Sequence, residues 1–472
     1  MKGDFENNFF NNREFGALVS KYEQMLKNRL NYYFDVEDFE QIVEYYMDMD
    51  QNGRALKAIE YAFQLHPDAL PLRIKKAQIH LKEKKPERAL NSLETIENIE
   101  SMNSEIYLTK GHSLLLLGNV ADSEEYYDKA LTLAGDKEER LEMLQNISQT
   151  LQFSDLYKEA IKYLYEAYEL DRENLMVLYD LAYCYDRSGD TEQSIAYYNH
   201  YIDIEPYSEH VWFALGNLYN KIGETDHAIE AHEMAVAINP EYIDSIYELA
   251  VLLEDNYQYA KAIQYYHQYL SYEPESAETY LFIGNCYYYL NEYDKALEHY
   301  KKSLKIEENN PEVAYSIANL LCKKKKYWDA LFHAKNATHL DENDPRYYVL
   351  YGKINARLKM HKEAARAFHQ ALELKPEVFY HLILLTDELI IERKYDRALQ
   401  YLLDSMEFHG NNALILFRIA ALYYKTHSLR NSLKFFKKAM LMDEKLYNEF
   451  FNICPEAKRS NEIRKVLNDQ IF

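Results

Sequence analysis

Large apolar residues recur along this chain in two alternating helical spacings. Within a 34-residue window they hold positions 4, 7 and 11 and, after a break, position 24, as in Trp212, Leu215 and Tyr219 or in Tyr280, Ile283, Tyr287 and Tyr300. Small residues hold positions 8 and 20. Offsets 4, 7, 8 and 11 lie on one face of a helix, and 20, 24 and 27 on a face of a second. Position 20 is the most regular: Ala55, Ala89, Ser123, Ala160, Ser194, Ala228, Ala262, Ala296, Ala330, Ala364, Ala398 and Ser432 are 34 apart, except for one step of 37 between Ser123 and Ala160. Position 8 is Ala, Gly, Ser or Thr in every window but the first, where Val43 stands. A fixed period of this length means one supersecondary unit copied and stacked.

Chain breakers punctuate the same register. Gly118, Gly189 and Gly223 fall at position 15, where a helix ending in a left-handed residue favours glycine. Pro67, Pro206, Pro240, Pro274 and Pro376 fall at position 32, where a second helix must stop. Each unit therefore predicts two antiparallel helices of about 12 to 14 residues, with small residues letting the backbones approach. Units begin at Val36, Leu70, Ser104, Leu141, Leu175, Glu209, Ile243, Ala277, Pro311, Pro345, Phe379 and Ala413.

These residue classes at these positions resemble the tetratricopeptide repeat over residues 36–446. Units 70–103 (Arg73, Lys76 and His80 at large-apolar positions) and 379–412 (Gly410 where Pro is expected) depart most from the pattern. HEAT or armadillo repeats would need roughly 40 or more residues per unit. The resemblance implies an all-α protein, an α-solenoid wound as a right-handed superhelix of about twelve helix-turn-helix units. Residues 13–30 carry apolar positions at helical spacing and predict an N-terminal capping helix behind a short mobile leader, so that 1–35 form leader and cap. Residues 447–472 are expected to form C-terminal capping helices, with Ile463, Val466 and Leu467 on one face.

Composition narrows the function classes. The beginning of the chain carries no apolar run resembling a signal peptide, and no stretch of some 18 apolar residues predicts a membrane span. Cys184, Cys286, Cys322 and Cys454 are far apart and predict reduced packing residues in a cytoplasmic protein. Phosphate-cradling and nucleophile-elbow glycine motifs are absent, and the sixteen histidines do not take metal-ligand spacing. No catalytic residue, metal, cofactor or small-molecule substrate is expected. The chain predicts a non-enzyme.

Function is expected on the stripe of the first helices left free at positions 2, 5, 9, 12 and 13. In the middle units it is aromatic and amide-rich: Tyr179, Tyr183, Phe213, Asn217, Tyr247, Asn285, Tyr288, Tyr315 and Asn319. Asn can both donate to and accept from an extended backbone, and Tyr offers area with little rotamer entropy to lose. The resemblance implies that this stripe lines a concave groove for an extended peptide or partner helix. It also provides a check, because the carboxylate clamp of heat-shock co-chaperones needs a Lys at position 5, and no cation occurs there in any unit.

Charge is segregated. Residues 1–300 sum to −30 and residues 301–472 to +7, and the stripe follows suit, ending in Lys323, Arg346, Lys353 and Arg357. Such asymmetry bears on partners more than on fold. The favoured reading is a protein-binding scaffold. Two others stand beside it: docking to RNA or a ribonucleoprotein through residues 301–472, or a regulatory subunit that positions a separate enzyme. The net charge of −23 argues against general nucleic-acid binding. Oligomeric state is left open.

Overall fold

The 34-residue register translates directly into helix pairs. The structure, a computed structural model, describes residues 16–28, 30–97, 101–410 and 412–471; the expected leader, residues 1–15, lies outside these. Twelve successive pairs run from Val36–Asp48 with Asn52–Leu65 to Ala413–Lys425 with Leu429–Met442, and no strand occurs among the described residues. The chain forms two compact bodies, one up to Pro240 and one from Glu241.

The turn between the two helices of each unit is built the same way twelve times. Position 15 has positive φ in every unit: Gly118, Gly189 and Gly223, but also Asp50, Lys84, Asp155, Tyr257, Asn291, Lys325, Lys359, Arg393 and His427. The following N–H then reaches back five residues to the carbonyl at position 11, for example Asp190 to Tyr185 at 2.9 Å and Lys326 to Leu321 at 2.9 Å. This is a Schellman closure, which satisfies a carbonyl the helix end would leave orphaned. First helices start from a side-chain cap in many units: Asp35, Asn103, Asn174, Ser276, Asn310, Asp344 and Asn412 each accept a first-turn N–H.

Within a unit the helices touch through positions 8, 20 and 24. All twelve position-20 residues are fully buried. Ser194 uses that proximity to donate its hydroxyl to the carbonyl of Ala182 on the facing helix, 2.7 Å away. Where position 8 is glycine, a ring takes the space its side chain would fill. A Cβ on Gly111, Gly216, Gly284 or Gly352 would come within 3.0 Å of the ring of Tyr127, His232, Tyr300 or Phe368, each at position 24 of the same unit. In these four units the position-24 ring and the absent position-8 side chain are thus two halves of one packing arrangement.

Departures from the repeat are absorbed locally. The three extra residues before the fourth unit lengthen its first helix, Lys137–Phe153, by an added turn capped by Asp136. In the eleventh unit the second helix stops at Asp404 and a short turn, Met406–His409, leads to Gly410 at φ +61°. In the tenth, the core position 11 is Asn355, fully buried, whose Nδ2 donates to Tyr351 while Oδ1 has no partner. At the front, Val19, Tyr22 and Met25 of the helix at 16–28 bury against Phe34, Phe39, Ile42 and Val43, which accounts for the bulkier residue at position 8 of the first unit. At the back, Phe450, Phe451, Ile463 and Val466 cover Phe417 and Ala421, stripe positions of the twelfth unit.

Two outcomes follow for stability. Gly284→Ala forces the Tyr300 ring to move and is expected to cost about 1–3 kcal/mol, recovered in part by Tyr300→Leu; equal urea midpoints for wild type and Gly284→Ala would refute the packing argument. Lys325→Gly removes roughly 1–2 kcal/mol of left-handed strain against roughly 0.5–1 kcal/mol of added unfolded-state freedom. Its urea midpoint should rise slightly, and a fall would show the turn to be unstrained.

Candidate functional site

Core packing reaches the stripe through the position-24 tyrosines. The Tyr300 ring passes beneath Gly284, and its hydroxyl donates to Asn285 Oδ1 at 2.9 Å. The same arrangement occurs where Tyr127 passes Gly111 and its hydroxyl meets His112 Nδ1 at 2.9 Å. In the seventh unit the Tyr266 hydroxyl donates to Glu254 at 2.7 Å, and burial pushes that carboxyl above its usual range. With Oδ1 engaged, Asn285 keeps its Nδ2 donor for something else.

In the second body six of the residues expected from sequence meet. Asn285, Tyr288, Tyr315, Asn319, Lys323 and Arg346 line one cleft of about 570 Å³, together with Tyr289, Asn291, Tyr293, Glu312 and Ser316. Tyr288 stands 5.8 Å from Tyr293, and Tyr315 stands 5.4 Å from Tyr347, ring centre to ring centre. Arg346 lies over both Tyr315 and Tyr347. The side chains of Asn319 and Lys323 have no hydrogen-bond or ion-pair partner among the described residues.

The basic end of the stripe is less available than its residue types suggest. Arg346 is bound by Asp344 at 2.7 Å and Glu312 at 3.0 Å, and the hydrogen bond that it donates to the Asp344 carboxylate leads in holding its guanidinium firmly protonated. Lys353 sits over the Tyr380 ring at 5.3 Å. Neither Lys353 nor Arg357 lines the cleft, though both are exposed. Glu312, Tyr300, Tyr289, Asn291, Tyr293 and Ser316 line the cleft without having been expected from sequence. Glu312 had a legible signal, since it and Arg346 occupy position 2 of adjacent units with opposite charge.

The first body carries Tyr179, Tyr183, Phe213 and Asn217. Tyr179 meets Tyr198 edge-on at 5.5 Å, and Tyr183 meets Tyr157 at 6.0 Å. Phe213 meets the buried His232 ring at 5.5 Å. Asn217 is exposed and makes no hydrogen bond among the described residues. Burial lifts the neighbouring Asp180 carboxyl to about 6. In the second body Tyr247 packs on Tyr269 at 5.0 Å and its hydroxyl reaches Glu278.

Among the described residues no group of three His, Cys, Asp or Glu is placed to hold a metal ion, and no helix is long and apolar enough to cross a membrane. Burial pushes the thiols of Cys184 and Cys322 up to about 12 and about 11, which leaves them unreactive near neutral pH.

Stacked helix pairs with a polar-aromatic face define an α-solenoid repeat protein. Two family models described as tetratricopeptide repeat match residues 62–337 and 345–378. The chain belongs to the tetratricopeptide-repeat family. It is similar to the solved structure of the MamA protein, at 25% identity over 36% of this chain and 92% of that one, with a TM-score of 0.34. It is also similar to a tetratricopeptide repeat protein from Parabacteroides merdae, at 19% identity over 53% of this chain and 98% of that one, with a TM-score of 0.38. No curated protein matches the chain. The family supports a protein-interaction scaffold in general terms, and repeats of this family are generally non-catalytic.

His232 beneath Phe213 generates a pH prediction. Burial lowers its pKa from 6.5 to about 4. As pH falls through 6.5 the unfolded chain takes up this proton first, so stability is lost between pH 6.5 and 4. The cost is about 2 kcal/mol at pH 5. Leucine occupies the equivalent position 24 in other units, as Leu93, Leu164 and Leu402. The drop in urea midpoint from pH 7 to pH 5 should therefore shrink in His232→Leu; an identical drop would show that His232 protonates freely in the folded state.

Proposed function

We propose that this chain is a non-catalytic scaffold that holds an extended polypeptide segment against the first-helix stripe, with the cleft around Asn285 and Asn319 as its principal contact. The observation that carries the reading is the pair of amides one repeat apart on a single cleft. Asn285 is oriented from below by Tyr300, and Asn319 lacks any partner among the described residues. An extended chain presents alternating N–H and C=O groups, and amides held by a rigid helix suit that pattern. Tyr288 and Tyr315 flank the amides and supply flat apolar area for side chains on either side.

The cations favour a segment that carries acidic groups toward the Lys323 end. Lys323 has no carboxylate partner of its own, whereas Arg346 is already shared between Asp344 and Glu312. A partner carboxylate would thus meet one open ammonium and one guanidinium whose charge is largely spent. The RNA-docking alternative has less to support it at the lysine run, where Lys323 lines the cleft and Lys324 pairs with Asp294, while Lys325 and Lys326 remain exposed.

In capture experiments from native lysate, Asn285→Ala/Asn319→Ala is expected to lose the partner while keeping the helical circular dichroism of wild type. Losing one hydrogen bond at each position should weaken the complex roughly 5- to 10-fold per residue. Tyr300→Phe should weaken it less, through Asn285 alone. Recovery of the same partners in undiminished yield by the double variant would eliminate the stripe as the binding face.

A further inference from the structure

We infer a second binding site, for a phosphate-bearing anion, in a cleft between the second helices of the tenth and eleventh units. Helix His361–Leu374 and helix Tyr395–Asp404 run side by side here, and the first helix of the eleventh unit, Phe379–Ile391, forms the floor. The space between them is about 430 Å³. It involves residues on second helices, away from the first-helix stripe, and does not rest on the function proposed above.

The two walls were built toward each other by helical spacing. Lys362, Arg366 and His369 are related by i, i+4 and i+7, so they share one face. On the opposite side Arg397 and Tyr401 share a face, and Lys394 stands at its start. Leu385 and Leu389 close the bottom with apolar surface. Three cations are left unneutralised. Lys362, Arg366 and Arg397 have no carboxylate within ion-pair distance among the described residues. Glu392, the one carboxylate that lines the cleft, is taken by Lys394 at 2.8 Å. Glu373 at the far end is occupied by His369 at 3.5 Å and by Gln370 at 2.9 Å.

Lys362, Arg366 and Arg397 are exposed side chains that place three like charges on one cleft, and like charges repel. Ordinary surface pairing would neutralise them, as it does for Lys394 in the same cleft. Two guanidiniums and an ammonium lining one cleft match a dianionic or polyanionic group. Arginine forks bind phosphoryl oxygens in pairs, so a phosphoryl group is recognised better here than a lone carboxylate. The Tyr401 ring, edge-on to His369 at 5.5 Å, borders the cleft and offers apolar contact to a body attached to that group.

Titration calorimetry on the full chain at low salt, in a chloride buffer, is the direct test. Inorganic phosphate and phenyl phosphate are the two probes. Saturable binding of either at a stoichiometry of one is the expected result. Tighter binding of phenyl phosphate would identify an anion carried on an apolar body, and equal or tighter binding of phosphate would identify the free ion. Arg366→Gln/Arg397→Gln should reduce the affinity at least 10-fold. Lys434→Gln/Lys437→Gln, which removes the same charge from a different helix, should leave it unchanged. Absence of saturable heat with both probes, or equal losses in the two double variants, would overturn the assignment.

Discussion

Two helices can lie face to face only as closely as their smallest contact residues allow, and that limit organises everything else in this protein. The buried alanine or serine at position 20 brings the second helix against the first at every unit. The glycines at position 8 then let a ring lie directly against the first helix in their units. A tyrosine that enters this gap carries its hydroxyl through to the far side of the first helix. There it fixes Asn285 or His112. Close packing in the interior and chemical order on the stripe are therefore one arrangement, seen from two sides.

The fold was legible because its signals repeat. A single Gly or Ala at one position says little, but the same class at the same position in twelve windows leaves one architecture. The left-handed turn was only partly legible: Gly118, Gly189 and Gly223 announced it, while Lys325, Tyr257 and Arg393 adopt the same backbone without any residue-type signal. Stacking of neighbours and the closing hydrogen bond impose the conformation there, against local preference. Helix starts were visible in retrospect through Asn174, Asn310 and Asp344, whose side chains cap the first turn.

The candidate site was legible as a stripe but not as a cleft. Spacing alone identifies which residues leave the core, and Asn285, Tyr288, Tyr315 and Asn319 do share one cleft. Spacing does not say which charges cancel. Arg346 counts as a cation in any sequence tally, yet Glu312 and Asp344 hold it. The cations that remain open include several on second helices, at Lys362, Arg366 and Arg397, where a search confined to the stripe does not look.

The tenth and eleventh units combine two local weaknesses, the unsatisfied Oδ1 of buried Asn355 and the second helix that breaks after Asp404. A stack of repeats has no single core to share such defects across its length. Backbone amides near this joint would consequently trade their protons with solvent earlier than those of the regular units, as a local breathing mode separate from global melting. The proposed anion cleft lies between the same two units, so an occupant would bridge them and quieten that motion.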